Sequence, residues 1–183
     1  MKKMMMVLLV MAMLIPCSAL AYYSPYSGMS TDSPNTMTAR LNQRMATRTG
    51  PGTQYSEPGT FFSEGDKVKI ISYTTDVNGV KWVQAEINVR GKLMRVYTGL
   101  KRFSGVDTGR LCREERMNIV ATLDSDITPA YGPGWEYAEY DFTLRKGSQV
   151  MVLDYESGYD MCEFYVNGKL YRAWFPDAGL LSW

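Results

Sequence analysis

Gly50-Pro51-Gly52-Thr53-Gln54-Tyr55 returns as Gly132-Pro133-Gly134-Trp135-Glu136-Tyr137, 82 residues later (132 − 50). The same offset carries Gly65 onto Gly147, Val68 onto Val150 and Tyr73 onto Tyr155, so one register runs through a loop, a turn and a candidate strand. A duplication of this kind constrains the fold more than composition does, because each copy must be one folding unit. Further along, Gly91-Lys92-Leu93-Met94-Arg95 matches Gly168-Lys169-Leu170-Tyr171-Arg172 at an offset of 77 (168 − 91), which requires a five-residue deletion (82 − 77) in a loop of the second copy.

Residues 1–21 stand apart from the repeats. Lys2 and Lys3 precede an apolar run from Met4 to Ile15, followed by Ala19-Leu20-Ala21, the pattern of a cleaved secretory signal. The run is shorter than the roughly 20 residues of a membrane-spanning helix, so no transmembrane segment is expected after cleavage. Pro16 before Cys17 does not suit a lipoprotein site. Cleavage leaves 18 basic residues (20 − 2) against 19 acidic ones. That balance lacks the basic surplus that nucleic acid or an anionic membrane requires. The expected location is outside the cytoplasm: secreted, periplasmic or associated with the envelope. Two cysteines remain, Cys112 and Cys162, and an even count in an exported chain reads as a disulfide. Closing the 50 residues between them (162 − 112) adds about 4 kcal/mol on chain-entropy grounds, and two separate thiols are the alternative.

Residues 22–36 are rich in Tyr, Ser, Pro and Asn with almost no aliphatic side chain, so they read as a flexible leader. The first repeat spans 37–103, a linker covers 104–111, and the second repeat spans 112–183. Each repeat of about 65–70 residues lies in the range of small domains that fold alone with marginal stability. Lys67–Ile71 and Gln149–Leu153 are short, β-branched and preceded by a Gly turn, as strands are. Lys81–Ile87 alternates with period two, which puts Val83, Ala85 and Ile87 on the core face and Trp82, Gln84 and Glu86 on the other. In the second copy Cys162, Phe164 and Val166 face in, and Met161, Glu163 and Tyr165 face out. Asn78-Gly79 and Asn167-Gly168 supply the positive φ of tight hairpin turns. With no helical periodicity and about five short strands per repeat, the expected class is all-β, two small closed barrels in tandem.

Arg48-Thr49-Gly50-Pro51-Gly52-Thr53-Gln54-Tyr55, then Gly59-Thr60, Glu64-Gly65-Asp66-Lys67-Val68 and Trp82, resemble the bacterial SH3 (SH3b) pattern of a Gly-Pro-Gly loop, a Gly turn before a Val-rich strand, and an aromatic opening the next strand. The first repeat resembles it over nearly its whole length. The second departs from it, with Pro129 and Ala130 in place of Thr47 and Arg48 and Tyr159 in place of Trp82. The resemblance implies an SH3-like barrel in each repeat and a protein of the cell envelope that binds rather than catalyses, its ligand a cell-wall peptide or a protein partner.

The Gly-Pro-Gly loops (Gly50, Pro51, Gly52; Gly132, Pro133, Gly134) turn the chain sharply and, on a functional reading, wall a groove whose backbone groups meet an extended peptide. Exposed rings are the better ligand contacts, because they bring a large apolar face at small entropic cost. Trp82 is one candidate, with packing as a lid over the barrel end as its structural alternative. Tyr97 and Trp174 are equivalent positions that could line the same groove with Trp82 and Tyr159. Trp135 replaces Thr53 in the second loop, where a large ring finds no core. Tyr55 and Tyr137 read as loop anchors, and Lys92, Arg95, Lys169 and Arg172 as a solvated face. The chain has no histidine, which removes Ser-His-Asp and Cys-His catalysis and most zinc sites. Asp124, Asp126, Glu114 and Glu115 have no apolar pocket in the sequence around them, and Asp124-Ser125-Asp126 lacks the Gly and distal Glu of a calcium loop. No catalytic residue, metal or cofactor is therefore expected. The expected function is binding to a cell-wall polymer or extended peptide, with docking on a single exported protein as the alternative.

Overall fold

The computed structural model describes residues 36–177 and 180–182. The signal peptide and nearly all of the leader lie outside the described residues. Among the described residues there is no α-helix; apart from short 3₁₀ turns, all regular structure is β, and the sheet curls as a half-barrel.

The first repeat contributes β1 (Met37–Leu41), β2 (Met45–Ala46), β3 (Phe61–Phe62), β4 (Lys67–Thr75), β5 (Lys81–Val89), β6 (Lys92–Gly99), β7 (Phe103–Ser104) and β8 (Cys112–Arg113). The second contributes β9 (Ile119–Leu123), β10 (Gln149–Glu156), β11 (Tyr159–Val166), β12 (Lys169–Pro176) and β13 (Leu180–Ser182). The first sheet runs β6-β5-β4-β1-β7 and the second β12-β11-β10-β9-β13, so the duplication read in the residues is also one of strand order. β2 and β3 form a separate two-stranded ribbon. Both long hairpins carry a bulge at the same place, between Ile70 and Ser72 in β4 and between Val152 and Asp154 in β10. The extra residue of each bulge, Ile71 or Leu153, is buried.

The local rules that form these strands are simple. Hairpin β11–β12 turns through Asn167 and Gly168, both at positive φ (50° and 76°), as a primed two-residue turn requires. Arg90 and Gly91 do the same for β5–β6, at 54° and 88°. Between β4 and β5 the Asp76 carboxylate accepts the backbone N–H groups of Asn78 and Val80, at 2.8 and 2.9 Å, and so closes the turn with a side chain.

Each sheet has its own apolar interior. Val68, Ile70, Val83, Ala85 and Val96 centre the first, and Val150, Val152, Cys162, Phe164 and Phe175 the second. The core faces expected from alternation in β5 and β11 are therefore observed.

The segment between the repeats differs from the expected linker. Leu111 is buried in the first core, and β8 runs parallel to β4, with Cys112 opposite Ser72 and Arg113 opposite Tyr73. Glu114 extends this pairing through its N–H to the Tyr73 carbonyl, at 2.9 Å. The chain thus leaves the first sheet only after Glu114. This placement also corrects the disulfide expected between Cys112 and Cys162. No such bridge is present, because Cys112 belongs to a strand on the first sheet whereas the Cys162 side chain is buried in the second core. Burial pushes the Cys162 thiol pKa well up, with the nearby Asp160 adding to the shift.

Candidate functional site

Alternation fixes which faces of β5 and β11 turn away from their own cores, but not what covers those faces. The middle of each is covered by the other repeat, while Tyr165 towards the end of β11 stays 71% exposed. Gln84, Met161 and Trp174 are buried at 3%, 2% and 3% exposure, and Tyr97 at 1%. The two repeats meet through matched sets of residues. Arg95 on β6 donates to Tyr137 of the second loop at 3.2 Å and grips Glu156 with both terminal nitrogens, at 2.6 and 2.9 Å. Tyr137 in turn donates to Glu86 at 2.5 Å. On the other side Arg172 on β12 donates to Glu163 at 2.6 Å and to Glu114 at 2.7 Å, and Tyr55 of the first loop donates to Glu163. The guanidinium of Arg95 also lies over the Trp174 ring, and that of Arg172 over Tyr97, at 5.3 and 5.1 Å from the ring centres.

The electrostatics follow from burial and pairing. Burial alone would lower the pKa of Arg95, but the hydrogen bond and charge of Glu156 outweigh it and raise the value. Arg172 behaves alike, held charged against burial by Tyr97, Glu114 and Glu163. Glu163 stays below the usual carboxylate range although burial opposes this, because Arg172 and the Tyr55 hydroxyl favour its charged form. Burial pushes the Tyr55 phenol up to about 12, so it remains a donor across the whole physiological range.

The Gly-Pro-Gly loops make this meeting possible. One limb of each loop pairs with its own repeat, Arg48 with Tyr97 and Ala130 with Trp174. The other limb pairs with the opposite repeat: Tyr55 bridges to Leu170 and Tyr137 to Leu93. The Ser56 N–H reaches the Leu170 carbonyl at 2.9 Å, and the Ala138 N–H reaches that of Leu93 at 2.8 Å. The backbone groups that could meet an extended peptide are here satisfied by the sister copy. Tyr55 and Tyr137 do anchor their loops, but to the neighbouring repeat. Their rings lie against Gly50 and Gly132, where an added Cβ would come within 2.2 Å of ring carbons. Gly132→Ala is accordingly expected to cost about 1–3 kcal/mol through overpacking of a ring that cannot retreat. Urea unfolding of the variant against the parent measures it, and a change below about 0.5 kcal/mol would show that the loop shifts freely.

The sequence-derived site residues therefore separate into two groups. Trp82, Tyr97 and Trp174 are buried and do not line an open groove. Trp82, at 7% exposure, donates its indole N–H to Asp76 at 3.0 Å and closes the β4–β5 turn. Tyr97 and Trp174 occupy equivalent places in the contact between repeats. Trp135 and Tyr159 are brought together instead. Trp135 is 86% exposed, and both rings line a groove of about 440 Å³ with Tyr137, Pro176, Glu139 and Lys92. Lys92 donates to the Trp135 carbonyl at 3.1 Å, so a first-repeat residue steadies the loop that carries the second-repeat tryptophan. Asp126, a carboxylate that catalysis could have used, is instead held by Arg145 and the Lys146 N–H, at 2.6 and 2.8 Å. Among the described residues no three His, Cys, Asp or Glu side chains are grouped to hold a metal ion, and no helix is long and apolar enough to cross a membrane.

Sequence reasoning places Glu86 and Glu163 only on an outward face and Glu114 only among carboxylates without a pocket, and it misses Glu156 and the pairing of all four with the two arginines. For the first two a signal was present, since Glu86 and Glu163 obey the same offset of 77 (163 − 86) as Arg95 and Arg172. No protein-family model matches the chain, and no curated protein matches it.

Proposed function

We propose that this chain is an exported, non-enzymatic binding module of two SH3-like barrels, and that it recognises a cell-envelope polymer or extended peptide through the groove beneath Trp135. Support for the barrels comes from the two Gly-Pro-Gly loops, the shared strand order and the separate cores. One observation carries the functional reading: a tryptophan 86% exposed on a loop held from both repeats, beside Tyr159 and an open groove. An exposed indole on a braced loop gives a ligand a large flat face with little ordering cost. The envelope is proposed from the signal-like first 21 residues and the SH3b resemblance.

Trp135→Ala is expected to leave stability within about 0.5 kcal/mol, because the ring has no core to lose. It should weaken co-sedimentation with purified cell wall by about tenfold or more, as loss of a central aromatic anchor does. Sedimentation unchanged by the substitution, or equal to a wall-free control, would remove the groove from the proposal. A second reading, docking on one exported protein, is favoured by Val120 and Met151, register partners on β9 and β10 that are 52% and 36% exposed. Crosslinking that returns one stoichiometric protein partner, with no wall binding, selects this reading.

A further inference from the structure

A second groove, of about 400 Å³, lies on the other side of the segment that follows the second loop. Its floor is aromatic. Tyr131 stacks on Tyr140 with ring centres 3.9 Å apart, and Phe142 and Tyr171 meet edge to face at 5.1 Å. The Tyr140 hydroxyl donates to the Arg172 carbonyl at 3.0 Å, so this floor is tied to the rigid contact between repeats. Tyr131, Phe142 and Tyr171 are each half-buried, which leaves part of each ring open to the groove.

The rim is acidic. Along Tyr137–Phe142, Tyr140 is buried while Glu139 and Asp141 are exposed. Glu57 of the first repeat faces them across the groove. Glu57 is paired with Arg48 at 2.7 Å, but among the described residues neither Glu139 nor Asp141 has an ion-pair partner. Lys169 is the one cation among the lining residues, set against three carboxylates. Ring faces below and uncompensated carboxylates at the edge together favour a cation carried on an apolar stem: the rings take the stem and attract the charge, and the carboxylates neutralise it.

We propose that this groove is a subsite for the side-chain ammonium of a lysine, or of a similar diamino acid, in an extended peptide. Glu139 lines this groove and also the one beneath Trp135, so a single strand can occupy both. The subsite deepens the binding reading given above, from which it takes only the extended-peptide character of the ligand.

The test uses the full mature chain and three pentapeptides, Gly-Gly-X-Gly-Gly, in which X is lysine, Nε-acetyl-lysine or norleucine, titrated by NMR at low salt. The lysine peptide is expected to bind at least about fivefold more tightly than the other two and to shift the ring signals of Tyr131 and Tyr171. That preference should shrink at 0.5 M NaCl, where the Debye length falls to about 4 Å. The double variant Glu139→Gln/Asp141→Asn should abolish the preference while its melting temperature stays within about 2 °C of the parent, since both side chains are exposed. Trp135→Ala should weaken all three peptides and leave the lysine preference intact. Equal binding of the three peptides, no binding of any, or a preference that survives the double variant overturns the subsite. Wall binding that depends on Trp135 without any lysine preference would leave the groove beneath Trp135 standing and this inference refuted. The reverse result would refute the wall as ligand and keep the subsite.

Discussion

Arg172→Leu is expected to destabilise the protein by about 3–5 kcal/mol at pH 7, the penalty for removing one partner of a buried ion cluster. The reason is what stays behind. Arg172 is 4% exposed, and its side chain holds Glu114 and Glu163, whose side chains are only 6% and 12% exposed. Without the guanidinium two carboxylates remain in a contact that water barely reaches, and Tyr97 loses a donor at 2.9 Å. Arg172→Lys should rescue little, because one ammonium cannot reproduce a planar fork shared among Glu114, Glu163 and Tyr97. The effect has a pH signature. The Glu163 pKa is lowered in the folded state, so its contribution is present above the unfolded carboxylate value of about 4.3 and is lost as the pH falls through the folded value. The gap between Arg172→Leu and parent should therefore narrow towards pH 4. Urea unfolding at both pH values measures it. A cost below about 1 kcal/mol at pH 7 would mean that the two repeats are held together by something other than this cluster.

Asp160→Asn is expected to act in the opposite direction. Asp160 is 0% exposed, and neither carboxylate oxygen has a hydrogen-bond partner among the described residues. Burial, followed by the charge of Asp177, pushes its pKa up to about 7. The unfolded chain ionises this group near pH 3.9 while the folded chain keeps it protonated, so native stability falls as the pH rises between those two values and levels off above the upper one. The neutral asparagine does not pay this penalty. Its advantage over the parent should grow by about 2–4 kcal/mol between pH 4 and pH 8, or roughly 5–15 °C in melting temperature for a chain of this size. Melting curves at the two pH values decide the matter. A difference between the two proteins that does not change with pH would show that the carboxylate is solvated in solution.

The strands and turns were legible because their causes are local. Asn167-Gly168 had to turn, Lys67–Ile71 had to extend, and Val83 and Ala85 had to face a core, whatever lay beyond. The surface of Trp82, Gln84 and Met161 was not legible in the same way. A period of two separates the faces of a strand but does not say whether solvent, ligand or another domain meets the second face. For that reason the pattern leaves Trp82 open as either a ligand contact or a packed lid and offers Tyr97 and Trp174 as ligand contacts, whereas all three are covered, by a turn carboxylate and by the sister repeat. Trp135 was legible because it stands where its counterpart is the small Thr53, in a loop with no interior to enter. Arg95 and Arg172 read as a solvated face because charge usually means solvent. Their reappearance at the same offset as Glu86 and Glu163 was the clue that pairs, not single charges, had been kept in both copies.

The crossing of the two loops has a consequence for how such a chain can change. In most tandem arrangements one module can be deleted, shuffled or replaced and its neighbour goes on folding. Here each half pairs with the other's hairpin through Tyr55–Leu170 and Tyr137–Leu93, and supplies a countercharge for the other's arginine, Glu156 for Arg95 and Glu114 for Arg172. A cut between them would strand two ionised groups and two open backbone edges at once. The halves therefore inherit one another's constraints, and freedom to diverge is left to side chains that point away from the crossing, as that of Trp135 does.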